Sequence, residues 1–147
     1  MLRVRMATLD DVILALRILR KRGGEGRVFA RVIGDWFKYD LRGYAGFIGD
    51  ELAALILGEI GGHYIHIKEW ITTSACGKFD PMELMFQQFR YGLDHTIKAV
   101  NMTVSERDLG TAHQLHHLGF KAMKVRKNWD APGHDGILFQ YPMGRFD

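Results

Sequence analysis

The stretch from Tyr44 to Pro81 constrains this chain most. Three apolar runs, Tyr44 to Ile48, Leu52 to Ile60 and His63 to Ile71, are separated only by a short turn at Gly49-Asp50 (with Glu51) and by Gly61-Gly62. Connectors this short join neighbouring strands antiparallel through tight turns, so the three runs predict an antiparallel meander. Thr72 to Phe79 then breaks the pattern. Asp80-Pro81 reads as a helix start, with a carboxylate at the N-cap and proline at the first helical position. Met82, Leu84, Met85, Phe86, Phe89 and Leu93 make that helix amphipathic, and it is expected to run to about His95. The next apolar run, Ala99 to Val104, is reached through this helix, and such a crossover predicts a strand parallel to the last strand of the meander.

The flanks extend the pattern. Leu2 to Met6 alternates apolar residues with arginine, the period of a half-buried strand. Thr8, with Asp11 three residues on, forms a variant of the capping box and opens a helix carrying Val12, Ile13, Ala15, Leu16 and Leu19. Arg20, Lys21 and Arg22 suit the negative end of its dipole, and Gly23-Gly24 ends it. A second helix is predicted from Arg27 to about Tyr39, with Phe29, Val32, Ile33, Trp36 and Phe37 as its apolar face and Trp36 and Phe37 as core. A helix from about Glu106 to Leu118 ends at Gly119. Strands Phe120 to Lys127 and Gly136 to Tyr141 follow, joined through Pro132-Gly133. The predicted order is β-α-α-β-β-β-α-β-α-β-β.

Composition narrows the class. Of 147 residues, 47% are hydrophobic and 25% charged, the balance of a globular chain able to bury a core. No repeat, low-complexity tract or Pro/Ser-rich linker divides it, and with three prolines it reads as one domain over residues 1–147. No apolar run approaches the roughly 18 residues of a membrane span, so no membrane partner is expected. MLRVRMATLDD lacks the apolar stretch and cleavage site of a secretory signal. Cys76 is the only cysteine and can form no internal disulfide, which suits a reducing, cytoplasmic setting. Twenty basic against seventeen acidic side chains leave a net charge of +3, spread along the chain, too small an excess to predict nucleic-acid binding.

Several residues invite a chemical reading beside a structural one. Glu69 shares strand parity with Ile65, Ile67 and Ile71. Partial burial there would raise its pKa and suit a general base; a carboxylate reaching solvent beyond the sheet edge is the alternative. His63 and His66 face opposite sides of a strand and cannot share a metal ion. His113, His116 and His117 have helical metal-pair spacing, but no acidic or cysteine partner is spaced with them, so solvated histidines are expected and no metal is assigned. Ser105 either contacts a substrate or caps the following helix. Cys76 has no histidine beside it in sequence to make it a nucleophile. Gly23, Gly24 and Gly26 follow a helix rather than a strand and so make no phosphate loop.

The element order resembles that of the GCN5-related N-acetyltransferase (GNAT) superfamily over nearly the whole chain. TAHQLHHLGF, Thr111 to Phe120, resembles the family's late helix ending in Gly-Phe. VNMTVSERD resembles its cleft-opening strand, and RVRMATLDDV its charged opening strand running into A-T-x-x-D. The resemblance implies an α/β fold: a mixed, mostly antiparallel central sheet splayed in the middle, with helices on both faces. It also implies a cleft between His63 to Ile71 and Ala99 to Val104 that takes acetyl-CoA and an amine acceptor. By resemblance, Glu69 is the base. Backbone amides of Ile71, Thr72 and Thr73 meet the pantetheine arm, Gly77, Lys78, Phe79 and Asp80 face the phosphates, and Asp108 and Thr111 flank the arm. Trp36, Phe37, Tyr39 and Tyr44 lie on the side that in this family shapes the acceptor pocket.

The chain also departs from the family. The phosphate loop, Gln/Arg-x-x-Gly-x-Gly/Ala there, is TTSACGKFDP here. One register puts Phe79 and Pro81 at the glycine positions; the other puts Ser74, Gly77 and Phe79 in the pattern. Aligned on Gly119-Phe120, the family's frequent asparagine falls at Asp108 and its frequent tyrosine acid at Leu115, with His116 about 100° round the helix. WITTSACGKFDP and TAHQLHHLGFKAM are loosely similar to GNAT-fold proteins of tailed bacteriophages, some of them internal virion components. Two functions therefore stand: an acetyl-CoA-dependent N-acetyltransferase, or a catalytically silent GNAT-fold protein, such as a virion component, that binds a partner. The C-terminal edge strands would allow a homodimer.

Overall fold

The computed structural model describes residues 1–21, 26–78 and 80–144. The chain runs β1 (Leu2–Met6), α1 (Leu9–Lys21), α2 (Gly26–Lys38), β2 (Leu41–Ile48), β3 (Glu51–Gly61), β4 (Tyr64–Thr72), a 3-10 turn (Ser74–Cys76), α3 (Met82–Tyr91), β5 (Ala99–Ser105), α4 (Leu109–Leu118), β6 (Lys121–Ala131) and β7 (His134–Pro142). The strands make one seven-stranded mixed sheet in the order β1-β2-β3-β4-β5-β7-β6. The predicted order of elements is the observed one. No helix among the described residues is long and apolar enough to cross a membrane.

The chain gathers into two compact units, Met1–Ile60 with Lys68–Leu93, and Gly61–Ile67 with Asp94–Asp147. In the first unit β1, β2 and β3 pair antiparallel, and Gly49 makes the β2–β3 turn at φ +61, where a side chain would be strained. The two faces of β2 serve different helices. Ala45 and Phe47 join Val12, Ala15 and Leu16 of α1 and Val32 of α2 in the main core. Gly46, on the opposite face, lies so close to α3 that a Cβ there would stand 2.8 Å from the Met85 sulfur. The capping box at α1 forms as predicted: Thr8 N–H donates to Asp11 Oδ2 at 2.9 Å and Asp11 N–H to Thr8 Oγ1 at 3.4 Å. Arg5 adds a two-pronged ion pair to the same carboxylate, at 2.7 and 2.8 Å. The expected helix stop at Gly23-Gly24 lies outside the described residues, as does the side chain of Phe29.

Phe37 corrects one expectation. Val32, Ile33 and Trp36 turn toward the core, but Phe37 is 75% exposed, because it lies about 100° beyond Trp36 in the last turn. The helix after Pro81 ends at Tyr91 rather than His95. Gly92 follows it, and the Asp94 carboxylate accepts from Thr96 N–H at 2.9 Å, folding 94–97 into a turn.

In the second unit the start of β4 pairs parallel with β5, from Tyr64–Ala99 to His66–Asn101. β5 pairs antiparallel with β7, and β7 with β6. The α4 helix begins at Leu109, three residues later than expected, because Asp108 is its N-cap. Ser105 caps the preceding turn instead, with Oγ accepting from Arg107 N–H at 3.2 Å. Gly119 ends α4 in the left-handed conformation at φ 105, and Phe120 N–H reaches back to the Leu115 carbonyl at 3.0 Å.

Candidate active site

Alternation along β4 places its side chains. Ile65, Ile67, Glu69 and Ile71 are buried, while Tyr64 and Lys68 are exposed and His66 and Trp70 half-buried on the other face. Trp70 packs against Phe86 of α3 at 6.2 Å between ring centroids, and Lys68 pairs with Glu59 at 3.1 Å. Ile71 joins the α1–α2 core, so Glu69, two residues back, points to the same face. Glu69 is 9% exposed and does not reach past the sheet edge into solvent. A carboxylate taken out of water is costly to bury, and that cost makes Glu69 the leading candidate for handling a proton.

The loop after β4 is tied back to β3. Thr73 is buried; its hydroxyl donates to the Leu52 carbonyl at 2.6 Å and its N–H to the Ala53 carbonyl at 2.9 Å. The Thr73 hydroxyl also accepts from Ala75 N–H at 3.2 Å, which starts the 3-10 turn. Cys76 is buried, its thiol donating to the Ala53 carbonyl at 3.1 Å. Gly77, at φ 57, gives its N–H to the Ser74 carbonyl. Two amides expected to meet the cofactor, those of Thr73 and Gly77, are thus committed within the protein. Thr72 and Lys78 are exposed, and Phe79 lies outside the described residues.

Asp80 is exposed and sits one residue farther from the helix than the sequence suggests. Pro81 has αR geometry and α3 starts at Met82, yet the Asp80 carboxylate still accepts from Met82 N–H at 3.0 Å. A helix N-terminus attracts anions through unpaired amides and its dipole. Here the protein's own carboxylate takes part of that role.

Glu69 and the loop residues Ile71 to Asp80 fall in the first unit, and Asp108 and Thr111 in the second. The Asp108 carboxylate accepts from both the N–H and the hydroxyl of Thr111, at 3.1 and 2.7 Å, so each holds the other at the α4 cap. Leu115, aligned with the family's tyrosine, is fully buried. His116 and His113 instead line a shallow concavity of about 700 Å³ with Leu109, Ala112 and Phe139. Both imidazoles are exposed, as the sequence reading of solvated histidines on this helix expects. Asn101, buried in β5 with its Oδ1 accepting from Gln140 Nε2 at 3.0 Å, was missed, although an amide side chain between Val100 and Met102 is a visible signal.

No protein-family model matches this chain, and no curated protein matches it in sequence. Solved structures do match. A GNAT-family protein from Desulfovibrio desulfuricans superposes with a TM-score of 0.80 over 98% of this chain and 100% of its own, at 12% identity. The ribosomal-protein-S18-alanine N-acetyltransferase of Escherichia coli gives 0.76 over 97% and 94%, at 14% identity. A GNAT family acetyltransferase from Elizabethkingia anophelis, with acetyl-CoA bound, gives 0.70 over 96% and 97%, at 11% identity. At such identities the likeness is one of fold.

Proposed function

Taking the fold of the GNAT acetyltransferases as its premise, we propose that this chain transfers an acetyl group from acetyl-CoA to a primary amine. The observation that carries the reading is Glu69, a buried carboxylate on the strand that leads into the loop expected to hold the cofactor. A fold alone does not establish an activity, and a buried carboxylate able to accept a proton supports the reading beyond the fold. Glu69 would take a proton from the acceptor ammonium, directly or through a water. The freed amine attacks the thioester carbonyl; a C–N bond forms, the C–S bond breaks, and CoA leaves as a thiolate that is then protonated.

Binding would fall to the end of β4 and the loop after it. The backbone at Ile71 and Thr72 would meet the pantetheine arm. Gly77, Lys78 and the start of α3 would face the pyrophosphate. The Elizabethkingia protein, which holds acetyl-CoA on the same fold, supports the choice of cofactor.

Calorimetric titration with acetyl-CoA and CoA at low salt tests this reading. The expected result is binding in the micromolar range that weakens with Lys78→Glu, with Glu69→Gln retaining binding but losing turnover on an amine panel. No heat of binding at roughly millimolar cofactor would overturn the reading and leave a GNAT-fold protein that serves a partner without turnover.

A further inference from the structure

We propose that the exposed side of α4 binds a divalent transition-metal ion of the nickel or copper class, chelated by His113 and an imidazole one turn on, His116 or His117. The buried Leu115 fixes the rotation of α4 about its axis. With that side inward, His113, His116 and His117 are all exposed, and His113 and His116 border the same concavity. Residues three and four apart on a helix hold their Cβ atoms about 5–6 Å apart. Two imidazoles at that separation can reach one ion at metal–nitrogen distances of about 2.0–2.1 Å.

The surroundings favour such an ion over others. The α4 sequence, LGTAHQLHHL, contains no lysine or arginine to repel a cation. It contains no carboxylate either, so magnesium and calcium, which require oxygen ligands, find little here. Nitrogen ligands rank copper and nickel above iron and manganese. Among the described residues no three His, Cys, Asp or Glu side chains converge on one point, so the site has two protein ligands and its other positions hold water. His113 and His116 share the lining of that concavity with Ala112 and Phe139.

Tag-free full-length protein, titrated with nickel in a non-chelating buffer, tests this directly. One ion per chain is expected to bind. His113→Ala, and separately His116→Ala with His117→Ala, should each weaken binding by about tenfold or more, since neither leaves two imidazoles one turn apart. His63→Ala, at another exposed histidine, should leave it unchanged. Alanine is the better helix former, so circular dichroism should show the helix intact in every variant. Failure of the parent to bind nickel, binding by either α4 variant as tight as the parent's, or equal affinity for magnesium would overturn the assignment. None of these outcomes depends on acetyl transfer.

Discussion

Replacing Asp80 by asparagine and, separately, by alanine divides two effects of one carboxylate. Its Oδ1 accepts from Met82 N–H at 3.0 Å, satisfying an amide that α3 cannot pair internally. Asparagine keeps the acceptor and loses the charge, a loss of about 0.3–1 kcal/mol against the helix dipole. Alanine loses both, about 0.5–2 kcal/mol. At roughly 2–4 °C per kcal/mol for a chain of this size, the alanine variant should melt a few degrees lower and the asparagine variant less. Anion binding should move the other way. Asp80 is exposed, so bulk-water screening applies; a unit charge about 6 Å from a phosphate charge then costs about 0.7 kcal/mol, or roughly threefold in affinity. Asp80→Asn should therefore bind acetyl-CoA severalfold more tightly at low salt, with the gain shrinking as salt rises. Paired melting curves and titrations read both effects. If the asparagine variant binds no better at low salt while the alanine variant still melts lower, the phosphates do not sit at the start of α3.

Three further substitutions probe fold and site. Leu115→Ala should cost about 2–5 kcal/mol by chemical denaturation, and Leu115→Tyr about 1–3 kcal/mol through overpacking, with no gain in acetyl-transfer rate because the ring enters the core. Gly43→Ala drives a Cβ into the Ile56 carbonyl oxygen, a clash with backbone that a rotamer change cannot relieve, and should lower the denaturation midpoint more than an alanine at exposed Gly61. Asp135 is held below the usual carboxylate range, first by the Asn128 N–H at 3.0 Å and then by Lys127 at 3.4 Å. Its folded pKa lies below its unfolded one, so its stabilising share is present above the unfolded value near pH 4 and is lost as pH falls through the folded value. Melting curves taken down through that range should fall less steeply for Asp135→Asn than for the parent; equal slopes would refute the assignment.

The order of elements was legible because its signals are local. Gly49-Asp50, Gly119 and the Thr8–Asp11 pair act within a few residues and need no knowledge of what packs where. Phe37 was misread because the apolar face of α2 was drawn one residue too wide, and only the core formed with α1 shows that Trp36 is its last inward residue. The loop's hydrogen bonds were invisible for a different reason. Thr73 and Cys76 find their acceptors at Leu52 and Ala53, more than twenty positions earlier, and no sequence period reports such a pairing. The burial of Glu69 depended equally on tertiary context, since strand parity gives the face a residue points to but not the depth of what covers it.

Cys76 gives that loop a built-in reporter. Its sulfur is screened and hydrogen-bonded to Ala53, so a thiol reagent can reach it only when the loop lifts away from β3. The rate of labelling in native protein then measures how often this short segment opens, a free energy separate from that of global unfolding. Being the only cysteine in the chain, it reports without background from other thiols. A molecule that settles on the closed loop should slow the reaction in proportion to its occupancy, whether or not any chemistry follows.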